Sequence, residues 1–295
     1  MIAYNHYIQF IPELKCTKSL SGKYNDIITI QKSSLTNLPI EFNDRLEYIN
    51  NQGRDLIFYC EGEFTKTYKE KLWAFEVKGV LIFYWNSGKN ILSYIPQENF
   101  SEELLEYWSL HIILPMFFTI EETYAFIHAG AVEVKGKPIL FIAESFGGKS
   151  TLTDFFIKKG HTMISDDKVA TYEKNGCFLA ISSHPHHRPH RKMEDLGFFV
   201  KNFSTQVKEI HVIYELERVS SDDNISIVEL RGVEKFKSLR YASQMNLSFQ
   251  KQKRFEYLMR MTEVVKVFKI TVPNDLNRLT EVYDAIVKHS QNSAI

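Results

Sequence analysis

A glycine-rich segment near the middle of the chain, AESFGGKS at 143–150, has the residue types of a phosphate-binding loop. It matches the pattern G-x-x-x-x-G-K-[ST] at every fixed position except the first, where Ala143 stands. In this pattern backbone N–H groups curl around phosphates, and Gly148 allows an approach that a side chain would block. Lys149 supplies positive charge for the β- and γ-phosphates, and Ser150 offers its hydroxyl to Mg²⁺. The segment predicts a nucleotide site at these residues: Glu144, Ser145, Phe146, Gly147, Gly148, Lys149, Ser150 and Thr151.

The alternative for this segment is a glycine-rich turn without a ligand. Ala143 adds a methyl group and restricts positive φ, which at the first position need not abolish phosphate binding. The apolar run KPILFIA leads directly into the loop, and KSTLTDFFIKKG after it is a helix pattern that ends in glycine. This strand–loop–helix context favours the phosphate-binding interpretation.

Two neighbouring carboxylates, Asp166 and Asp167, follow the short apolar run HTMIS. The carboxyl end of a strand is where an α/β core presents its ligands. Because neighbouring side chains on a strand point to opposite sides, the two carboxylates can take different roles. His128, which opens a strand ahead of the loop, is a third candidate. A solvated turn would explain an isolated Asp-Asp pair, but the position behind a phosphate loop favours a site.

The segment SSHPHHRPHRKMEDLG at 182–197 concentrates histidine, arginine and lysine. One interpretation is an anion clamp, in which Arg188 and Arg191 neutralise phosphate or carboxylate charge. A second interpretation is a solvated basic loop. A third is a metal site, although Pro185 and Pro189 break the helical register and no cysteine accompanies the histidines. We rank the three in that order.

The elements that would position these residues alternate in type from about residue 124 onwards. Strand patterns and helix patterns follow one another along this part of the chain. Strands are expected at 125–134, 137–143, 161–167, 209–217, 225–230 and 264–272, and helices from 149 and at 233–241, 251–261 and 276–290. The order strand, phosphate loop, helix, strand is typical of a nucleotide-binding α/β core.

The first third of the chain differs, because short aromatic and β-branched runs at 26–30, 55–60 and 79–85 predict strands. A helix should follow, capped by Asn99 or Ser101 and bent or ended near Pro115. The three tryptophans are expected in the core: Trp73, Trp85 and Trp108. We therefore predict an α/β fold with α+β character. A strand-rich domain (1–118) precedes a nucleotide-binding domain with a mixed sheet (119–295).

One of the predicted helices, KQKRFEYLMRM at 251–261, has a basic start and an apolar stripe. Phe255, Leu258 and Met259 form that stripe. The pattern is typical of a packed surface helix rather than of a partner-binding device.

Residues 127–169 together resemble the catalytic core of the HPr kinase/phosphorylase family, and more closely the smaller HPr-kinase-like serine kinases. Phosphoenolpyruvate carboxykinases share this P-loop core. The resemblance lies in the order and spacing of His128, a strand hairpin, the loop, a short helix ending at Gly160, and the paired aspartates. It extends weakly into the last third of the chain. It implies transfer of the γ-phosphate of ATP to a hydroxyl, with Mg²⁺ as the metal.

The resemblance also implies a role for each residue that matches. Lys149 and Ser150 would bind the triphosphate and Mg²⁺. Asp166 would be the general base that takes the proton of the acceptor hydroxyl, and Asp167 would help to hold the metal. His128 would lie beside Asp166 and steer its orientation or charge.

The chain departs from the family at several positions. The family usually has glycine where Ala143 and Phe146 stand, and Phe146 would place a large ring near the phosphates or over the acceptor site. The small kinases often have an arginine after a proline near Arg188, which favours the clamp and a catalytic role for Arg188. VELRGVEKF at 228–236 lies too far downstream to be the E-I-R-G-x-G signature of the full-length enzymes, and it lacks the second glycine. This removes most of the case for HPr as the acceptor.

The composition excludes some classes of partner. Lysine plus arginine and aspartate plus glutamate each total 36 of 295 residues, which argues against a nucleic-acid partner. The apolar run at 110–120 is too short to span a bilayer. The cysteines at 16, 60 and 177 are spaced as reduced thiols, and the opening residues lack a secretion-signal pattern. We expect a cytoplasmic protein without a membrane partner, and assembly into a homo-oligomer is left open.

Two functions from different classes remain. The first is a kinase whose acceptor is a hydroxyl of a peptide or protein (serine or threonine) or of a small molecule. The second is a regulatory protein whose altered loop binds nucleotide without turnover. A carboxykinase-like reaction is disfavoured because the sequence contains no evident second set of metal ligands.

Overall fold

The computed structural model describes residues 1–15, 17–39, 44–49, 53–64, 71–189 and 192–292. The packing of the backbone divides the chain into two compact units. Unit 1 is Met1–Thr123 with Lys192–Leu196, and unit 2 is Tyr124–Arg191 with Gly197–Ile295. The boundary expected from the sequence, after residue 118, lies a few residues before Thr123.

Unit 1 is built on one mixed sheet. Its strands are β1 (Ile2–Ala3), β2 (His6–Ile11), β3 (Ile27–Lys32), β4 (Asp44–Ile49), β5 (Asp55–Cys60), β6 (Leu72–Val77), β7 (Leu81–Asn86) and β8 (Ile91–Pro96). They lie in the order β1-β2-β3-β8-β7-β6-β5-β4, and β3 runs parallel to β2 and β8. Buried and exposed residues alternate along β2, as a half-buried strand requires. The three tryptophans are at most 1% exposed, which confirms their predicted place in the core.

A helical segment follows this sheet in unit 1. It consists of α1 (Glu102–Trp108), a π-helical stretch (Ser109–Ile113) and α2 (Leu114–Ile120). Of the two predicted caps, Ser101 is used, since its hydroxyl accepts a hydrogen bond from the N–H of Leu104 at 3.2 Å. The chain stays helical beyond Pro115. Proline is tolerated there because it lies in the first turn of α2.

Unit 2 contains the remaining described strands. They are β9 (Ala125–His128), β10 (Gly130–Val134), β11 (Lys137–Ala143), β12 (Thr162–Ser165), β13 (Lys168–Lys174), β14 (Cys177–Ile181), β15 (His186–His187), β16 (Phe198–Phe199), β17 (Lys208–Glu209), β18 (Val212–Val219), β19 (Ile227–Glu229), β20 (Ser243–Gln244) and β21 (Val267–Pro273). Its helices are α3 (Lys149–Lys158), α4 (Gly232–Ala242), α5 (Lys251–Val264) and α6 (Leu279–Asn292), with 3-10 turns at Ser248–Gln250 and Leu276–Arg278.

The main sheet of unit 2 has the order β12-β10-β11-β18-β21-β19. β11, β18 and β21 are parallel, so their carboxyl ends meet at one edge. β10, β12 and β19 run antiparallel to their neighbours. The glycine-rich loop follows β11 at this edge, where α/β proteins bind ligands. The other two sheets of unit 2 have the orders β17-β14-β13-β9-β20 and β15-β16.

Both faces of β11 are buried, which explains its uninterrupted apolar sequence. Ile139 and Phe141 pack with α3 and α6 on one face, while Leu140 and Ile142 pack with α4 and α5 on the other. These contacts fix the end of β11, and hence the start of the loop, between two hydrophobic clusters.

The predicted mixed α/β fold with a strand-rich N-terminal part is confirmed, and so is the order strand, loop, helix, strand over 137–165. Within the described ranges, no helix combines the length and the hydropathy needed to cross a lipid bilayer.

Candidate functional site

The loop between β11 and α3 presents backbone N–H groups at the start of a helix. Gly148 occupies the N-cap position of α3 with a φ of 90°, a left-handed conformation that favours glycine. Glycine has no side chain with which to cap the helix. No side chain at the N-cap binds the first turn of α3, and the N–H groups at the start of a helix are groups that bind phosphate oxygens.

Gly147 allows the loop to fold tightly over Ala143. A Cβ atom at Gly147 would lie 2.7 Å from the Cβ of Ala143 and 3.0 Å from the carbonyl oxygen of Glu144. The N–H of Gly147 donates a hydrogen bond to that carbonyl at 2.9 Å. The methyl group of Ala143 is itself buried in the hydrophobic cluster under the loop. Alanine at the first motif position is compatible with this turn because Gly147 carries no side chain.

Phe146 stands at the outside of the loop. Its φ is 64°, a conformation that residues other than glycine adopt rarely and that strained loops retain at functional sites. The residue is 97% exposed, so its ring is not packed into the loop. Glu144 and Ser145 are exposed as well, whereas Ser150 is half-buried and Thr151 exposed in the first turn of α3.

Beside the loop, three nitrogens surround the carboxylate of Asp167. The Nζ of Lys149 lies 3.6 Å and the Nδ1 of His128 lies 3.2 Å from its Oδ1. The Nζ of Lys168 lies 3.4 Å from its Oδ2. Lys149 is buried and Asp167 nearly so, and the nitrogens offset the negative charge of the carboxylate. A phosphate on the loop would compete with Asp167 for Lys149.

Asp166 is buried and belongs to a different set of contacts. Its Oδ1 forms an ion pair with the Nδ1 of His187 at 2.9 Å, and its Oδ2 accepts a hydrogen bond from the backbone N–H of Arg188 at 2.9 Å. The Nε2 of His187 lies 3.2 Å from Asp154 Oδ1 on α3. His187 therefore bridges Asp166 to the helix that carries Lys149.

The charges in this bridge stabilise one another. Burial alone would raise the pKa of Asp166, but the contacts with His187 and the Arg188 N–H outweigh burial and hold the pKa below its ordinary value. Burial alone would lower the pKa of His187, but Asp166 and Asp154 outweigh it and raise the pKa. Both shifts favour the pair of carboxylate and imidazolium over the neutral pair.

The predicted contact between His128 and Asp166 is wrong. His128 contacts Asp167, while Asp166 contacts His187. The reason lies in strand pairing: β9 pairs with β13 so that His128 stands opposite Lys168, directly after Asp167. The two carboxylates do take different partners, as the alternation of side chains at a strand end predicts.

The basic stretch after β14 is packed inside unit 2 over residues 184–188. His184, His186, His187 and Arg188 are at most 6% exposed, and β15 pairs with β16. The solvated-loop interpretation is therefore wrong for these residues. Among the residues that the structure describes, no three His, Cys, Asp or Glu side chains converge as metal ligands. Arg191, the second predicted clamp residue, lies outside the described residues.

The surroundings of Arg188 are rich in positive charge. Burial, followed by the charges of His186, Arg188 and Lys168, holds the pKa of His184 well below its ordinary value. Asp167 acts on His184 in the opposite direction. Arg188, Lys168 and Asp167 thus each act on His184, and the backbone N–H of Arg188 binds Asp166, which precedes Asp167 in the chain.

Arg218, which the sequence analysis did not identify, lies on the other side of the loop. A Cβ atom at Gly148 would lie 3.8 Å from its Nη2. Its Nη1 donates a hydrogen bond of 2.6 Å to the Oδ1 of Asn274. Arg218 is near the carboxyl end of β18 and Asn274 follows β21, so both lie at the edge that carries the loop. That topology was the signal that could have found them.

A cleft of about 250 Å³ opens beside the start of the loop. Ala143 and Glu144 line it from the loop, Glu215 and Lys269 from β18 and β21, and Ser238 with other residues from α4. The hydroxyl of Ser238 is buried and has no hydrogen-bond partner among the described residues. The cleft thus offers polar groups to a ligand that continues beyond the loop.

A distant structural similarity is found among solved proteins. A solved structure described as the Hpr(Ser) kinase/phosphatase from Coxiella burnetii is similar to this chain, with 15% sequence identity and a TM-score of 0.36. The similarity covers 57% of this chain and 97% of that one. No known family model matches the sequence, and no curated protein matches it.

Proposed function

We propose that this chain is an ATP- and Mg²⁺-dependent phosphotransferase that moves the γ-phosphoryl group of ATP to a hydroxyl. The observation that carries the proposal is the buried contact of 3.6 Å between Lys149 and Asp167, at the start of a helix whose N-cap is Gly148. Phosphoryl transfer needs fixed positive charge around the phosphates and a carboxylate that faces the acceptor. Both requirements meet at this point.

The residues at the loop also fit Mg²⁺. The hydroxyl of Ser150 in the first turn of α3, next to Lys149, would supply an oxygen ligand of the kind that Mg²⁺ prefers. When bound, Mg²⁺ offsets the charge of the phosphates. The metal role that the resemblance implies for Asp167 is an alternative to the role as base argued next.

In the proposed reaction the acceptor oxygen attacks the γ-phosphorus while the bond to the β–γ bridging oxygen breaks, and ADP leaves. The proton of the acceptor hydroxyl passes to a carboxylate. Asp167 is favoured for this task over Asp166, because it faces Lys149, whereas both oxygens of Asp166 are engaged by His187 and Arg188. His128 then orients Asp167, and Asp166 positions the segment that carries Arg188.

Arg188 and Arg218 would stabilise the charge of the phosphates from two directions. The backbone N–H of Arg188 binds Asp166, which precedes Asp167 in the chain, and Arg218 lies beside Gly148. Guanidinium groups suit this role because they donate several hydrogen bonds in a fixed plane.

The nucleoside of ATP would occupy the cleft that Ser238 lines. Asp167 lies on the β12 side of the loop, and the cleft lies on the β18–β21 side. A nucleotide whose γ-phosphate faces Asp167 must therefore extend its other end toward the cleft. The lining contributes hydroxyl and carboxylate oxygens together with the ammonium groups of Lys237 and Lys269, so a ribose and a base would find both hydrogen-bond donors and acceptors.

This placement predicts a selective loss of affinity. Tyr241→Ala and Ser238→Leu should each weaken ATP binding about tenfold, through lost stacking or a filled cleft. Binding of inorganic tripolyphosphate should be unchanged, because the loop itself is intact. Titration calorimetry with both ligands measures this, and Val233→Ala on the exposed side of the same helix is the matched control. Equal losses for ATP and tripolyphosphate would contradict the placement.

The function itself is tested through Lys149. We expect the wild-type protein to bind ATP with Mg²⁺ and to form ADP when a hydroxyl acceptor is present. Lys149→Ala should weaken ATP binding about a hundredfold, since a charge-assisted contact to the phosphates is lost. Lys159→Ala, at the exposed end of the same helix, should bind as the wild type does. If ATP binds equally well to the Lys149 variant, the loop is not the nucleotide site.

A nucleotide-binding regulator without turnover is the second candidate. The departures at Ala143 and the strained Phe146 favour it, because both alter the loop of active family members. Calorimetric ATP binding without ADP formation across a panel of serine peptides, threonine peptides and small alcohols would decide for this candidate.

A further inference from the structure

Helices α4 and α5 of unit 2 enclose a second cavity, a groove of about 590 Å³ with an apolar floor. Leu258 is buried in this floor. The rings of Phe236 and Phe255 meet edge to face with centroids 5.4 Å apart. Phe255 remains 52% exposed and Met259 is exposed as well, so only part of the predicted apolar stripe is packed. The groove has the size and lining of a ligand site.

The rim of the groove is positively charged. Arg240 comes from α4, and Lys251 and Arg254 come from α5. The Nη1 of Arg254 is buried and has no hydrogen-bond partner in the described part of the chain. Burial, and next the charge of Arg240, lower the pKa of Arg254. Two arginines thus line one apolar groove, and its lining, in the described part of the chain, includes no aspartate or glutamate.

This arrangement is unlike that of five other arginines whose side chains the structure describes. Those arginines each bind a carboxylate or an amide oxygen: Arg54 with Glu194, Arg218 with Asn274, Arg231 with Glu229, Arg260 with Glu173 and Arg278 with Glu281. Even Glu256, which lies on α5 near the groove, accepts its hydrogen bond from Gln252. A buried donor without a partner and a pair of like charges both cost stability, and a bound anion would remove both costs.

We propose that this groove docks an acidic, apolar segment of a polypeptide, and that this polypeptide is the phosphoryl acceptor. The inference rests on the proposed function for the identity of the reaction. The floor takes a bulky apolar side chain, and Arg240 and Arg254 take the carboxylates beside it. The chemistry of the groove therefore selects a peptide rich in glutamate or aspartate with phenylalanine or leucine between them.

A polypeptide fits the position of the groove better than a small acceptor does. Phe236 and Arg240 face the groove from α4, while Ser238 and Tyr241 on the same helix face the cleft next to the phosphate loop. One helix, about 10 Å in diameter, thus separates the two cavities. A small molecule in the groove could not reach the loop. An extended peptide covers about 3.3 Å per residue, so a hydroxyl at least about three residues from the docked segment could reach it.

Docking is tested directly, without nucleotide, by fluorescence anisotropy with labelled peptides. One peptide alternates glutamate and phenylalanine, a second alternates lysine and phenylalanine, and a third alternates serine and phenylalanine. We expect the acidic peptide to bind the wild-type protein at least about tenfold more tightly than the other two, with affinity that falls as salt rises. The double variant Arg240→Glu/Arg254→Glu should lose this preference and favour the lysine peptide.

Arg260→Glu is the matched control, because Arg260 lies on α5 but pairs with Glu173 away from the groove. It should keep the preference for the acidic peptide. Equal binding of the three peptides to the wild type, or a double variant that behaves as the wild type does, would overturn the docking site.

Transfer assays separate this inference from the proposed function. In peptides that carry a serine a few residues from the acidic segment, the double variant should raise KM about tenfold and leave kcat and ATP affinity unchanged. If the acidic peptide binds selectively in the anisotropy assay but no ATP is consumed, the docking site stands and the proposed kinase activity is rejected. If acidic and basic serine peptides are phosphorylated with equal efficiency, the proposed kinase activity stands and the docking site is rejected.

Discussion

Asp167→Asn should lower the rate of phosphoryl transfer about a thousandfold, the scale expected when a general base is lost. Asparagine keeps the size of the side chain but cannot accept the proton of the acceptor hydroxyl. Asp167 is the carboxylate that lies 3.6 Å from Lys149 and 3.2 Å from His128. ATP affinity should not fall, because the loop and the start of α3 are untouched and asparagine competes less than aspartate with the phosphate for Lys149. The measurement is ADP formation with a serine peptide that the wild type phosphorylates.

The comparison with Asp166→Asn decides between the two aspartates. If Asp167 is the base, Asp166→Asn should retain more of the rate, because Asp166 acts through His187 and Arg188. Varying the Mg²⁺ concentration separates base from metal ligand. Loss of a metal ligand should be partly restored by high Mg²⁺, whereas loss of the base should not. Full activity of Asp167→Asn together with an inactive Asp166→Asn would return the base to Asp166, as the family resemblance implies.

The parts of the site that the sequence predicts correctly are local in origin. The run from Lys137 to Ala143 is apolar at successive positions because both faces of β11 are buried. Gly148 and Lys149 belong to one motif. Gly148 is the left-handed N-cap and Lys149 is the first residue of the helix, so the two are neighbours in the chain. Such features depend on residues a few positions apart, so a single sequence suffices to find them.

The partners of the two aspartates depend on distant residues instead. Which aspartate His128 contacts follows from the register of β9 against β13, with His128 opposite Lys168. No pattern within either strand fixes that register. The burial of the basic stretch has the same kind of cause, because β15 pairs with β16 across an intervening segment. From its composition alone, a run of histidine and arginine is typical of a solvated loop. Only the strand with which it pairs shows that it is buried.

The sequence also contains a hairpin signal close to the aspartate pair. Asn175-Gly176 is a strong hairpin turn signal, and both residues adopt positive φ between β13 and β14. The hairpin begins at Lys168, directly after Asp167. This signal predicts that the aspartate pair lies at the start of an antiparallel hairpin, next to a neighbouring strand that can supply a partner.

His187→Ala should destabilise unit 2 by about 3 kcal/mol near pH 6, because it removes one partner of a buried ion pair. The side chains of His187 and Asp166 are 4% and 6% exposed, so water cannot replace the lost contact readily. Hydrogen exchange of the amides of β12 and β13 reports the change where it occurs. Tryptophan fluorescence reports unit 1 separately, since all three tryptophans belong to it. The double variant with Asp166→Asn should cost less than the sum of the single variants, because it leaves no buried charge without a partner.

The pH dependence of this loss follows from the two shifted pKa values. His187 has a raised pKa, so its contribution is complete below the ordinary value of 6.5 and is lost as pH rises through the raised pKa. Asp166 has a lowered pKa, so its contribution is complete above the ordinary value of 3.8 and is lost as pH falls through the lowered pKa. The difference between wild type and His187→Ala should therefore be largest between these two values and decline on both sides. A difference that does not vary between pH 5 and pH 9 would mean that the contact contributes through packing rather than charge.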